Sequence, residues 1–208
     1  MKSGKLRFLV VSGPTREPLD PVRYLSNYST GTMGGHLERA AARGGHRVTP
    51  VRCPQDAESA RDLLKLLKRE VRNHDVLVMA AAVCDARPAA VSAKKIKKAG
   101  FQTIRLVRNP DVLASLGSKK KENQLFVGFA LESEEWIRNA QVKLTNKNLD
   151  LILVQKVGAK KRPFGEAAID GWALTRAGVA RTFRKASKKK VAADLVRRAE
   201  VLYHQKNG

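Results

Sequence analysis

Cysteine, aromatic side chains and negative charge are all scarce in this chain. The two cysteines, Cys53 and Cys84, stand far apart and in no metal-ligand spacing, which excludes a disulfide framework and a zinc site. Phe, Trp and Tyr make up 5% of the residues, and no RNA-binding aromatic motif is present. No apolar run approaches the roughly 18 residues that a membrane span needs, so no membrane association is expected. The opening MKSGKLRFLVVSG turns polar too early for a secretory signal. These readings place the protein in the cytoplasm. Against 19 acidic residues stand 41 lysines and arginines, for a net charge of +22. From Lys156 onward there are 14 basic and 4 acidic residues, including AKKR and SKKK. Such an excess suits either a nucleic-acid surface or a site for polyanionic small molecules.

What is present in quantity is a soluble, globular balance of 43% hydrophobic and 29% charged residues over 208 positions. That length is read as one domain over 1–208, with the basic region 156–208 less clearly part of it. Apolar runs at 6–12, 46–51, 75–82, 103–107, 125–129 and 150–154 alternate with helical patterns at 56–73 and 134–148. The alternation predicts a Rossmann-like, three-layer αβα fold with a mainly parallel sheet. GWALTRAGVARTFRK predicts two short strands around a turn, and 188–205 a closing amphipathic helix. The stretch 83–100 has neither period and reads as a flap, so that a flap and a small β extension complete the fold.

In such sheets ligands gather beyond the carboxyl ends of the strands, and the polar stretches of this chain fall there. After the first strand, SGPTREPLDPVRYLSNYSTGTMGG occupies the place where a dinucleotide-binding protein has a tight turn. STGTMGG directly precedes a helix, whose N–H groups and dipole can hold a phosphate. Arg23 and Asn27, four residues apart, supply a bidentate cation and an amide donor. Asp85 follows the third apolar run and accepts from a base amino group, helps hold Mg²⁺, or caps a turn. Lys94, Lys95, Lys97 and Lys98 lie in the flap, as a phosphate cover or as a solvated run. Lys143 and Lys147 share one helical face and suit a polyphosphate or solvent. Asn109-Pro110-Asp111 reads first as a helix start and secondarily as a site element, and Cys84 as a packing thiol. A Rossmann-type oxidoreductase is disfavoured, because Arg52 and Cys53 follow the second strand where an acidic residue is needed.

Taken in order, GPTREPLDPVRYLSNYSTGTMG, AAVCDARP, KKIKK, VRNPDVLA, VGFALES and KxxxKNLDLI resemble the phosphopantothenoylcysteine synthetase family. The resemblance covers 6–154 and fades after Gly165 to an S-K-x-x-x-A start of the last helix. It implies ligation of 4′-phosphopantothenate to cysteine through an acyl-nucleotidylate, with CTP or ATP as co-substrate, CTP favoured, and Mg²⁺ serving the triphosphate. It implies roles for Asn27 at the acyl-cytidylate oxyanion, Arg23 at the phosphopantothenate end and Lys95 in the reaction with cysteine. Gly13, Ser29, Gly31, Ala81, Ala82, Asp85, Phe129, Lys143 and Lys147 would border the nucleotide. It further implies a homodimer, no bound flavin, and a flavin-dependent decarboxylase on a separate polypeptide. The chain departs from the family pattern at Thr32 (usually Lys), at Ala86 (usually Tyr), at 155–157 (usually Ala-Asn-Asp), and in a shortened segment after Val51. These departures and the lysine-rich tail support an alternative, a non-catalytic descendant whose basic surface binds nucleic acid or a protein partner.

Overall fold

The computed structural model describes residues 4–98, 103–158 and 163–208. In chain order the elements are β1 (Arg7–Ser12), β2 (Arg16–Pro18), β3 (Tyr24–Ser26), α1 (Thr32–Arg43), β4 (Arg47–Arg52) and α2 (Ala60–Glu70), which ends in a 3-10 turn (Val71–Asn73). There follow β5 (Val76–Met79), β6 (Ala86–Pro88), β7 (Leu106–Arg108), α3 (Val112–Gly117), β8 (Leu125–Glu132), α4 (Trp136–Asn146), β9 (Leu151–Lys156), β10 (Ile169–Thr175), β11 (Gly178–Ala186) and α5 (Lys188–Asn207).

Seven strands form the main sheet in the order β11-β10-β9-β8-β5-β1-β4. From β4 to β9 every pairing is parallel, and β10 and β11 continue the sheet as an antiparallel hairpin. The inner strands are buried along their length, as VLVM in β5 and LILV in β9 show, because helices cover both faces. Leu37 of α1 and Val191, Leu195 and Ala199 of α5 pack on one face with Phe8, Val10 and Val78. Leu63 and Leu67 of α2, Leu113 and Leu116 of α3, and Ala140 and Leu144 of α4 pack on the other with Leu9, Val11 and Leu77. Local signals fix the helix starts. Ser59 accepts from the Asp62 N–H while Asp62 accepts from the Ser59 N–H, a reciprocal capping box at α2, and Asp111 and Ser187 cap α3 and α5.

Two expectations require correction. The run at 103–107 does not enter the main sheet; β7 pairs with β6 in a separate antiparallel ribbon, and β8 lies directly beside β5. Arg105 interrupts the apolar run, and residues 103–106 are exposed, so they lack the two apolar faces that an inner parallel strand needs. The flap likewise is not wholly irregular, because β6 forms within it; its residues 99–100 and the AKKR run, 159–162, lie outside the described residues. The long insert after β1 contains its own ribbon, β2 with β3, which reverses the chain like a strap before α1.

Candidate active site

The chain leaves β1 and builds β4 on one side, then returns to build β5, β8 and β9 on the other. A crevice opens where the order reverses, beyond the carboxyl ends of β1 and β5. The strap is stitched to the segment after β5: Ala82 N–H donates to the Gly13 carbonyl at 2.9 Å, and Thr15 N–H to the Ala82 carbonyl at 3.2 Å. At its far end the strap brings Asn27 back, with Nδ2 donating to the same Ala82 carbonyl at 3.0 Å. Between strap, β5, β8 and α4 lies a cleft of about 890 Å³.

One wall of the cleft is the start of α1. Gly31 sits at φ 73°, a left-handed conformation, and Gly13 at φ 82° directly behind it. A Cβ on Gly13 would stand 2.1 Å from the Cys53 carbonyl oxygen, so only glycine fits there. Among the described residues no side chain caps α1, and no acidic residue occupies its first turn, which leaves its N–H groups and positive dipole end for an anion. Gly34 lies close against Ser12, bringing that helix start tight onto the strand end.

The opposite wall carries paired charges. Lys143 Nζ donates to Glu132 at 2.5 Å, and Lys147 meets Asp111 at 2.8 Å. Burial alone would raise the Asp111 carboxyl, but the Ala114 N–H and Lys147 override it and hold it below the ordinary carboxylate range. Asn109 donates to the Cys84 carbonyl at 2.9 Å and accepts from Arg87 at 3.2 Å, which fixes the loop bearing exposed Asp85. Beneath the strap, Glu17 is buried and its carboxyl is raised chiefly by that burial, against hydrogen bonds from the Ala60 N–H and Asn109. Cys84 is buried against Thr15 with its thiol pushed up by desolvation, so it packs rather than attacks.

Of the residues singled out from sequence, Asn27, Ser29, Gly31, Ala81, Ala82, Asp85, Phe129, Lys143 and Lys147 line this one cleft. Gly13 supports Gly31 from behind. Arg23 and Lys95 are not on the wall. Arg23 makes an ion pair with the buried Asp20 carboxylate and donates to the Ile96 carbonyl at 2.8 Å, so its guanidinium holds the flap. Lys95, next to Ile96, is exposed. Sequence reasoning missed Arg108, Phe164 and Lys188, which also line the cleft, and marked Gln155 only as a departure from the family pattern at the edge of the nucleotide pocket. Gln155 carries a buried Nε2 that makes no hydrogen bond among the described residues, a donor available to a ligand. Lys188 is buried, donates to the Pro163 carbonyl at 3.0 Å, and is lowered from the usual lysine range by desolvation. Its signal was the Ser-Lys start of α5; nothing local marks Phe164, which arrives beside Tyr28 of the strap by tertiary packing. Among the described residues no group of three or more His, Cys, Asp or Glu side chains is placed to hold a metal ion.

Residues 3–202 match the family described as DNA/pantothenate metabolism flavoprotein C-terminal domain. The chain belongs to that family. A cysteine/cysteine sulfinic acid decarboxylase from an unknown prokaryotic organism is 38% identical over 211 residues, covering 95% of this chain and 59% of that protein. The coenzyme A biosynthesis bifunctional protein CoaBC of Vibrio cholerae is 38% identical over 172 residues, 76% of this chain and 43% of that protein. The chain thus spans about half the length of the curated relatives it matches. In solved structures, the C-terminal domain of a CoaBC superposes with TM-score 0.78 at 29% identity, covering 98% of this chain and 97% of that domain. Strap, flap and the first four turns of α5 all fall within the segment that matches the flavoprotein C-terminal domain family.

Proposed function

We propose that this cleft ligates 4′-phosphopantothenate to cysteine, giving phosphopantothenoylcysteine in coenzyme A biosynthesis, with CTP preferred over ATP and Mg²⁺ carried on the triphosphate. The observation that carries the reading is the convergence in one cleft of an uncapped, acid-free helix start, the Asn27 amide and two lysines fixed by carboxylates. It is supported by family membership and by the CoaBC relatives, which are named as coenzyme A biosynthesis proteins.

In the first half-reaction a carboxylate oxygen of 4′-phosphopantothenate attacks the α-phosphorus. The new P–O bond forms as the bond to the β-phosphate breaks, and pyrophosphate leaves. Lys143 and Lys147 meet the phosphates, the α1 start takes an anionic group, Phe129 and Ala81–Ala82 border the base, and Asp85 accepts from its amino group. Asn27, whose Nδ2 donates to the Ala82 carbonyl at 3.0 Å, is assigned to the acyl-cytidylate. In the second half-reaction the cysteine amine attacks the acyl carbon. A C–N bond forms, the C–O bond to CMP breaks, and the amine gives up a proton. Asn27 donates to the oxyanion at that carbon. Lys95 serves this step when the flap brings it in, and Arg23 supports it by holding Ile96. The protein acts as a homodimer in the cytoplasm. Flavin is not assigned to this cleft, and decarboxylation of the product belongs to a separate flavin-dependent unit.

The test is pyrophosphate release with 4′-phosphopantothenate, Mg²⁺ and either CTP or ATP, with and without cysteine, followed by mass spectrometry. The expected product is phosphopantothenoylcysteine with CTP preferred. A folded sample that releases no pyrophosphate in response to the substrate overturns the ligase reading.

A further inference from the structure

The active cleft uses few of the chain's positive charges, and the remainder is unevenly placed. Between residues 171 and 193 there is no acidic residue and there are seven basic ones. Most of them lie on or beside β11, at the edge of the sheet, which among the described residues is hydrogen-bonded only to β10. Arg181, Arg184 and Lys185 on that strand are exposed, as are Lys189 and Lys190 at the start of α5.

Beside this basic edge lies a second hollow of about 420 Å³, which shares no lining residue with the active cleft. It holds both tryptophans of the chain. Trp136 at the start of α4 and Trp172 on β10 stack with ring centres 5.2 Å apart and planes 7° from parallel. Lys156 Nζ stands 4.3 Å from the Trp136 ring centre, and Arg184 and Thr182 of β11 complete the rim opposite. One carboxylate, Asp170, lines the hollow and accepts from the Lys185 N–H at 2.7 Å, and exposed Glu134 and Glu135 directly precede Trp136 in the chain.

We propose that this edge binds single-stranded nucleic acid, with phosphates along Arg181, Arg184 and Lys185 and a base seated in the tryptophan hollow. The chemistry fits on both counts: guanidinium and ammonium groups neutralise successive phosphates, and indole rings give bases a stacking platform without sequence preference. A second copy of the chain fits poorly. Edge-to-edge pairing would set two rows of arginine and lysine against each other. The proposal is independent of the ligase reading, because the two sites share no residue.

Because both tryptophans lie in the hollow, intrinsic fluorescence reports on it directly. An oligouridylate of roughly a dozen nucleotides should quench the emission saturably. With about four phosphates neutralised, affinity should fall roughly 50-fold between 50 and 200 mM salt. The double variant Arg181→Glu/Arg184→Glu should weaken binding at least tenfold without changing pyrophosphate release. Trp172→Leu should weaken it about tenfold by anisotropy of a labelled oligonucleotide, with Trp172→Phe restoring most of the loss. Saturating Mg²⁺-CTP should leave oligonucleotide affinity unchanged. Absence of quenching, equal quenching by polyglutamate, or displacement of the oligonucleotide by CTP would each overturn the proposal.

Discussion

At the amino end of the sheet charged side chains close on one another, whereas at the carboxyl end they stand around an open cleft. Arg7 gives its N–H, Nε and Nη2 to Asp75, the last at 2.6 Å. Asp150 accepts from Lys120 at 2.9 Å, Lys206 at 3.4 Å and the Phe126 N–H at 2.7 Å. Gln124 spans the Val71 and His74 carbonyls at 2.7 and 3.0 Å. Across the sheet, by contrast, among the described residues the α1 start has no side-chain cap and Gln155 keeps an unused donor. The same strands thus carry closed ion pairs at one end and the candidate cleft at the other. Substitutions at the two ends should separate folding from turnover.

The largest effect is expected at the closed end. Lys120 has a side chain only 4% exposed, and Asp150→Ala would leave that ammonium buried beside Lys206 without its carboxylate. A loss of about 3 kcal/mol is expected in urea unfolding, with the turnover of the folded fraction unchanged. A loss below about 1 kcal/mol would mean that the Asn148 carbonyl and water suffice for Lys120. At the open end the converse holds. Asn27→Asp removes an amide donor and adds negative charge where an oxyanion forms, so pyrophosphate release should fall about 10²–10³-fold while the melting temperature stays near wild type. Normal turnover would refute the role given to Asn27. Lys95→Gln should spare the first half-reaction and let acyl-cytidylate accumulate in a quench assay; equal loss of both half-reactions would place Lys95 elsewhere.

Titration sharpens the contrast less strongly. Burial by itself would raise the Asp75 carboxyl, but Arg7 and the backbone N–H override it and hold it below its ordinary value. A carboxyl depressed on folding contributes stability that is full above its unfolded value of about 3.9 and is lost as pH falls through the lower folded value. Between pH 4 and 2 the melting temperature should therefore fall less for Asp75→Asn than for wild type; parallel curves would remove Asp75 from the account. The smallest change is expected at Lys147→Ala. Its pair with half-exposed Asp111 should cost under about 1 kcal/mol of stability, while KM for the nucleotide rises.

Most of the sheet could be read from apolar runs, because strands buried on both faces are uninterrupted, as in β1, β5 and β9. Register and order could not, and the run broken by Arg105 was placed in the wrong sheet for that reason. The strap hairpin was invisible because three-residue strands carrying Pro18 have no usable period. Nine cleft residues were legible as loop motifs and by resemblance. Lys143 and Lys147 could be named from spacing, yet their carboxylate partners Glu132 and Asp111 arrive from other elements and leave no local trace. Arg23 shows the same limit: its sequence position suggested a substrate contact, and its guanidinium is turned to Asp20 and the flap.

That flap contact has a consequence for how the chain can vary. Asp20 accepts from the backbone N–H groups of Val22 and Arg23 at 2.8 and 2.9 Å, from that of Ile96 at 3.1 Å, and from the Arg23 guanidinium. Three of these donors are main chain and persist whatever side chain stands at 23. Exchanging the two charges, Asp20→Arg with Arg23→Asp, would restore the ion pair and still strand three amides. Inheritance can therefore alter position 23 while position 20 is kept, but not the reverse: the acid is the fixed partner and the arginine the negotiable one.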